Sequence, residues 1–163
     1  MRVKLKYSDD FVPELYRNAS GDLNKEVPFK THETDFCYDC VAVKCEQVAP
    51  RVYKYDLGIS LQIDDENLTF LDNEVILDID ARPRSSVWKT GMSLCNCEGT
   101  IDKDFTGVIS AYFYHVLPEM PKYEVGDKVC QIKIGATIPI NFVVVDSLDK
   151  TNRGDGGFGS TGR

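Results

Sequence analysis

Apolar side chains along this chain come in short runs, rich in β-branched and aromatic residues, that alternate with polar positions. A period of two places successive side chains on opposite faces of a strand. The pattern therefore predicts strands at Val3–Tyr7, Tyr38–Val43, Gly58–Ile63, Glu74–Asp80, Gly107–Tyr114, Lys128–Ile134 and Ile138–Val145. Asp, Asn, Gly and Pro punctuate these runs, as turns require. Only Ser85–Thr90 reads as a short helix, and no helical period is sustained over a dozen residues. This excludes α/β winding and predicts an all-β chain, a jelly-roll-like antiparallel β-barrel or sandwich with one short helix. Strand edges in such a fold need covering, and self-association is one means.

Two segments stand outside the alternation. Residues 8–34 are polar, with Pro13, Pro28 and the turn cluster Asn18-Ala19-Ser20-Gly21-Asp22, and predict a long surface excursion within a domain spanning 1–152. Residues 153–163 hold five glycines and one aromatic, Phe158, and predict a flexible arm. Phe158, set among glycines between Arg153 and Ser160-Thr161, also has the parts to cap a flat ring while the backbone approaches phosphate oxygens. A Walker A loop is excluded, because its spacing fails and the segment contains no lysine.

Composition narrows the partners. The 163 residues suit one domain, and 19 basic against 26 acidic side chains leave a net charge of −7. Such a balance argues against a nucleic-acid coat or a polybasic membrane patch. Any anionic ligand must be met by a local cation cluster. No run approaches the roughly 18 apolar residues of a membrane span. The start, Met1-Arg2-Val3-Lys4-Leu5-Lys6, lacks the apolar core of a signal peptide, so the expectation is cytoplasmic, or host cytoplasm for a viral chain. The six cysteines, at 37, 40, 45, 95, 97 and 130, are then expected to be free thiols. Cys37-x-x-Cys40 with Cys95-x-Cys97 lacks the second-pair spacing of structural zinc sites, and small buried apolar side chains are the expectation.

Three segments carry candidate chemistry. In Ala81-Arg82-Pro83-Arg84-Ser85-Ser86-Val87, Arg84 offers a planar fork and Ser85 and Ser86 add hydroxyls: either an anion site or a helix cap with a surface arginine. The stretch Asn96 to Gly107 is turn-rich and leads into an aromatic strand, so a hairpin there would present backbone groups suited to reading one edge of a base. Asp102 within it is either a carboxylate held near a water or an ordinary turn aspartate. Gln131, following Gly126-Asp127-Lys128, is either an edge residue or a ligand contact.

In order, these segments resemble the five motifs of the trimeric deoxyuridine triphosphate nucleotidohydrolases, the dUTPases. Cys37-Tyr38-Asp39-Cys40 is similar to the first, Pro83-Arg84-Ser85-Ser86 to the second and Gly99-Thr100-Ile101-Asp102 through Gly107 to the third. Gly126 to Gln131 resembles the fourth, and Arg153 to Gly162 the fifth. A second Tyr-Asp pair, in Tyr55-Asp56-Leu57-Gly58, imitates the first motif but sits too close to the strand before the second. The resemblance implies a homotrimer hydrolysing dUTP to dUMP and diphosphate with Mg2+, limiting uracil in DNA and supplying dUMP for thymidylate synthesis, with no nucleic-acid or membrane partner. It implies that Asp102 activates the water attacking the α-phosphorus. Asn96, Thr100, Ile101 and Ser110 hold the nucleoside, and Phe105, where the family usually has tyrosine, excludes a ribose 2′-hydroxyl. Arg84, Ser85, Ser86, Gln131, Arg153, Ser160 and Thr161 bind the triphosphate, while Phe158 and Gly159 close over the uracil from a neighbouring subunit's arm. Asp39 meets the metal through water only. Two rivals share the resemblance: a dUTP-binding regulatory protein without turnover, disfavoured by the presence of Asp102, and a dCTP deaminase, whose glutamate would fall where Tyr112 stands.

Overall fold

The computed structural model describes residues 2–64, 69–70, 73–152 and 154. Twelve strands, one α-helix and one 3-10 helix are described among them. In chain order the strands are β1 (Arg2–Tyr7), β2 (Tyr38–Val41), β3 (Lys44–Ala49), β4 (Val52–Asp56), β5 (Ile59–Asp64), β6 (Thr69–Phe70), β7 (Asn73–Glu74), β8 (Ile76–Pro83), β9 (Met92–Leu94), β10 (Gly99–Ile101), β11 (Ser110–His115) and β12 (Lys128–Thr137). All pairings are antiparallel. Two four-stranded sheets, ordered β10-β8-β12-β2 and β3-β4-β11-β9, are joined by the two-stranded pairs β1-β5 and β6-β7. The expected all-β sandwich is therefore present, without a closed barrel.

Alternation places the core. On β8 Leu77, Ile79 and Ala81 are buried, and on β11 Ala111 and Phe113 are, so each sheet turns one face inward. Of these, Ile79, Ala111 and Phe113 join Tyr55, Ile59 and Ile132 in a single apolar cluster. A bulge in β12 between Lys128 and Cys130 lets the consecutive residues Val129 and Cys130 both be buried. Around Tyr55, Phe113 and Tyr123 the rings meet edge to face at 5.5–6.2 Å.

The 8–34 excursion contains an element that its polarity conceals. A helix, α1, spans Val12–Ser20, with Val12 and Tyr16 fully buried. Four-residue spacing puts both on one face, and the buried Tyr16 hydroxyl donates to the Leu57 carbonyl at 3.0 Å. Pro13, a loop signal in the sequence, lies in the helix's first turn, where its missing N–H costs nothing. Gly21, at φ +70, ends the helix in the left-handed region and donates its N–H to the Arg17 carbonyl. The short helix expected at Ser85–Thr90 is a 3-10 helix over Ser85–Lys89.

Other expectations shift. Lys44–Ala49 and Val52–Asp56 form a hairpin that the sequence analysis passed over, because β3 is exposed or half-buried along its whole length and shows no apolar alternation. Ile138–Val145, expected as a strand, follows the end of β12 and pairs with nothing among the described residues; Phe142 is 88% and Val144 98% exposed. β12, which this segment follows, is flanked on both sides by β2 and β8, and the edge strands β2, β3, β9 and β10 do not pair with the segment among the described residues. The cysteines are free, but only Cys40 and Cys130 are buried, and Cys97 is exposed. Burial, then the neighbouring Cys130, pushes the Cys40 thiol well up. No helix among the described residues is long and apolar enough to cross a membrane.

Because Tyr16 anchors α1 in the main core, Tyr16→Ala is expected to lower unfolding free energy by about 3–5 kcal/mol in denaturant titration. A loss under about 0.5 kcal/mol would mark α1 as a detachable surface segment.

Candidate functional site

The predicted site residues fall into two groups. At the C-terminal end of β8 the chain leaves the sheet through Pro83 into Arg84, whose extended backbone precedes the 3-10 helix. The Arg84 guanidinium grips Asp39 on β2 with two bonds, Nε to Oδ1 at 2.7 Å and Nη2 to Oδ2 at 3.1 Å. Its Nη1 donates to Ser86 Oγ at 3.1 Å. Lys128 stands 3.8 Å from Asp39 Oδ2, its ammonium over the Phe29 ring. Phe29, from the 8–34 segment, exchanges two backbone hydrogen bonds with Asp39. Gln131, opposite Asp39 in the β12–β2 register, donates to the Pro83 carbonyl at 3.2 Å. One buried carboxylate thus holds two cations, leaving a local positive excess in an acidic chain. Ser85 is exposed at the start of the 3-10 helix.

The second group is built on the turn between β9 and β10, on β10 itself and on the start of β11; the hairpin considered for Asn96 to Gly107 is not formed among the described residues, because β9 pairs with β11 and β10 with β8, in different sheets. Cys97, at φ +57, makes the tight corner of that turn and donates its N–H to the Leu94 carbonyl. A Cβ on Gly99 would stand 2.7 Å from the Asn96 amide nitrogen, so glycine lets that side chain fold over the strand. Thr100 Oγ1 donates to Asp80 on β8 at 2.9 Å, and Arg82 bridges Asp80 and Glu98, fastening β10 and the turn before it to β8. A cavity of about 770 Å³ opens here, lined by Asn96, Thr100, Ile101, Asp102, Phe105 and Ser110. Asp102 is exposed at its edge, in a turn closed by the Phe105 N–H on the Asp102 carbonyl at 3.0 Å. Gly107 lies against the Phe105 ring, where a Cβ would approach within 2.7 Å.

Residues that the sequence analysis did not select share this wall. Lys54 and Tyr112, register partners on β4 and β11, line the cavity. Ser110 Oγ donates to Asp56 Oδ1 at 2.6 Å, and Lys54 Nζ meets the same oxygen at 2.9 Å. Burial pushes the Asp56 carboxyl up, but the Ser110 hydrogen bond and the Lys54 and Lys44 charges outweigh it and hold the group below the usual range. The signal for Lys54 was its place in an alternating run, Val52 to Asp56, whose charged members masked the strand.

In one chain the two groups lie apart. Ile101 pairs Ile79, while Arg84 follows the last residue of β8. Five residues of strand at about 3.3 Å each separate those levels by about 17 Å. Arg153, Phe158, Gly159, Ser160 and Thr161 lie outside the described residues. No cluster of three or more His, Cys, Asp or Glu among the described residues could hold a metal ion, so the cysteine pairs form no thiolate cage there.

Comparison with known proteins places this arrangement. The family model described as dUTPase matches residues 79–162. The deoxyuridine 5′-triphosphate nucleotidohydrolase of Clostridium novyi is 32% identical over 138 residues, covering 83% of this chain and 90% of that protein. The Finegoldia magna enzyme of the same name is 42% identical over 86 residues, 52% of this chain; that match and the one to the Dinoroseobacter shibae protein span 60% and 56% of those relatives. Among solved structures, a Staphylococcus bacteriophage 80alpha dUTPase variant with dUpNHpp shares the fold at a TM-score of 0.72, with 17% identity and 99% of each chain covered. With half its length matched by one family model and most of it aligned to a relative at 32% identity, the chain belongs to the dUTPase family.

Proposed function

We propose that the protein hydrolyses dUTP to dUMP and diphosphate, with water attacking the α-phosphorus. The observation that carries this reading is the single cavity gathering Asn96, Thr100, Ile101, Phe105 and Ser110 with a carboxylate, Asp102, at its edge. In the proposed mechanism the backbone of β10 and the start of β11 takes the edge of uracil. Cytosine presents a donor where uracil has an acceptor, and site groups left unpaired make such rejection strong. Phe105 packs beside the deoxyribose and leaves no room for a 2′-hydroxyl. Asp102 accepts a proton from the attacking water and holds it in line with the phosphorus. Arg84, Ser85, Ser86 and Gln131 bind phosphate oxygens, joined by Arg153, Ser160 and Thr161, while Phe158 and Gly159 cover the base.

Magnesium fits this donor set as a companion of the substrate. A hard cation keeps most of its water shell and takes phosphate oxygens. Asp39, with both oxygens engaged by Arg84, is suited to accept hydrogen bonds from that shell through its remaining lone pairs, and not to ligate the metal directly. The bound ion supplies neutralisation of phosphate charge.

The site is completed by other copies of the chain in a homotrimer. Two features support this: the separation of about 17 Å along β8 between Arg84 and the level where β10 leads to Asp102, and the exposed apolar run at Ile138, Ile140 and Phe142 to Val145. One copy supplies Asp39, Arg84 and Gln131, a second the Asn96 to Ser110 segment with Asp102, and a third its 153–163 arm.

The wild-type protein is expected to release diphosphate from dUTP with magnesium and to stop on chelation. Asp102→Asn is expected to retain dUTP binding while losing at least about a thousandfold in turnover. Ammonia release from dCTP, or dUTP binding without hydrolysis by the wild type, would overturn the reading. Co-refolding Asp102→Asn with Arg84→Gln is expected to restore activity that neither variant has alone; no recovery in mixed assemblies would contradict a shared site. Deleting residues 153–163 is expected to slow turnover with the trimer intact by light scattering.

A further inference from the structure

The sequence contains a second Tyr-Asp pair, Tyr55-Asp56, which the motif order leaves without a role. The structure sets Asp56 at the end of β4, directly opposite Ser110, the first residue of β11. One carboxylate oxygen, Oδ1, accepts from the Ser110 hydroxyl at 2.6 Å and meets Lys54 Nζ at 2.9 Å. The Asp56 side chain is 20% exposed. On one side of this trio lies the 770 Å³ cavity, lined by Ser110 and Lys54. On the other lies a smaller cavity of about 240 Å³, lined by Asp56, Ser110 and Lys54 together with Asp9, Phe11 and Lys44. Asp56, Ser110 and Lys54 are thus the partition between the two.

That position has a chemical consequence. An ionised carboxylate can only accept, so Ser110 must donate to it and its hydroxyl proton is committed. What Ser110 then offers the larger cavity is its backbone and the hydroxyl lone pairs. The same oxygen holds the Lys54 ammonium, which would otherwise stand free in the cavity wall.

We propose that Asp56 is a positioning residue for nucleoside recognition: through Ser110 it fixes the start of β11 and the polarity of the hydroxyl that faces the ligand, and it restrains Lys54. The proposal rests on the dUTP reading of the site and names a residue outside all five motifs.

The test uses the full chain as wild type, Asp56→Asn, Ser110→Ala, Ser110→Thr and the double variant Asp56→Asn/Ser110→Ala. Steady-state kinetics are measured with dUTP and dCTP, and equilibrium binding with an α,β-imido analogue of dUTP. Asp56→Asn and Ser110→Ala are each expected to raise KM for dUTP, and Kd for the analogue, about tenfold, the scale of one hydrogen bond to a charged group. kcat should stay within about twofold, and the preference for dUTP over dCTP should fall. The double variant should be no worse than Ser110→Ala, because both changes remove one interaction. Ser110→Thr, which keeps the hydroxyl, should recover most of the binding that Ser110→Ala loses in KM and Kd. Unchanged KM and preference, additive losses in the double variant, or a lowered Tm with recognition intact would overturn the proposal. Should Asp56→Asn fail to fold, the Ser110 pair decides the matter by the same criteria. If the wild type binds the analogue without hydrolysing dUTP, the hydrolytic reading fails, while the Kd values still decide the role of Asp56. If it does not bind the analogue, both fall.

Discussion

The long antiparallel pairing of β8 with β12 is the constraint on which the candidate site depends. Its register runs unbroken from Ile76 opposite Thr137 to Pro83 opposite Cys130. β8 is also paired on its other edge by β10, so it is held on both sides and cannot slip without turning Leu77, Ile79 and Ala81 out of the core. Everything that the site needs is then set at a distance along one rigid ruler. Arg84 emerges at one end beside Asp39, and β10, which leads to Asp102, is fastened nearer the other. A rigid strand cannot bring its own two ends together, which is why the proposed function completes the site by assembly and not by hinge motion.

The Arg84–Asp39 pair shows how an acidic chain can meet an anion. Asp39 is 8% exposed, and a buried ion pair contributes little net stability although removing one partner is costly, on the order of 3–5 kcal/mol. Its use here is geometric. The carboxylate aligns the guanidinium, and Lys128 adds a second cation to the same anchor. The excess of seven negative charges is spread over the surface and is screened beyond about 10 Å at ordinary ionic strength, so it does not govern what happens at this cluster.

What could be read beforehand was whatever the chain encodes locally. β1, β5, β8, β11 and β12 follow from alternation, and the ordered motifs mark the two site regions. Helix α1 was hidden because its inward face is small, Val12 and Tyr16 fully buried with Leu15 and Ala19 packed beside them, and because Pro13 signals a turn wherever it is not the first turn of a helix. β3 and β4 were hidden by the charges of Lys44, Glu46 and Lys54, which an exposed sheet face tolerates. The opposite error, a strand at Ile138–Val145, has the same root: β-propensity states what a segment would like to pair with and not whether a partner is within reach. Asp56 stands too close to the strand before the second motif to belong to the first, and its role is not legible in the sequence because its partner Ser110 is 54 residues away and only the fold brings them into register.

Under the assembly proposed above, the run from Ile138 to Val145, unpaired among the described residues, makes folding a matter of population as well as of sequence. A β-forming apolar stretch that finds its mate only on another molecule finishes its structure in a second-order step, at a rate that rises with the amount of protein present. At low abundance such chains would linger with a sticky edge exposed, open to proteases and to mispairing. Under that assembly and the function proposed with it, completion of the site and cover of this run come together at one threshold concentration, so the protein would be active only where it is also safe from aggregation.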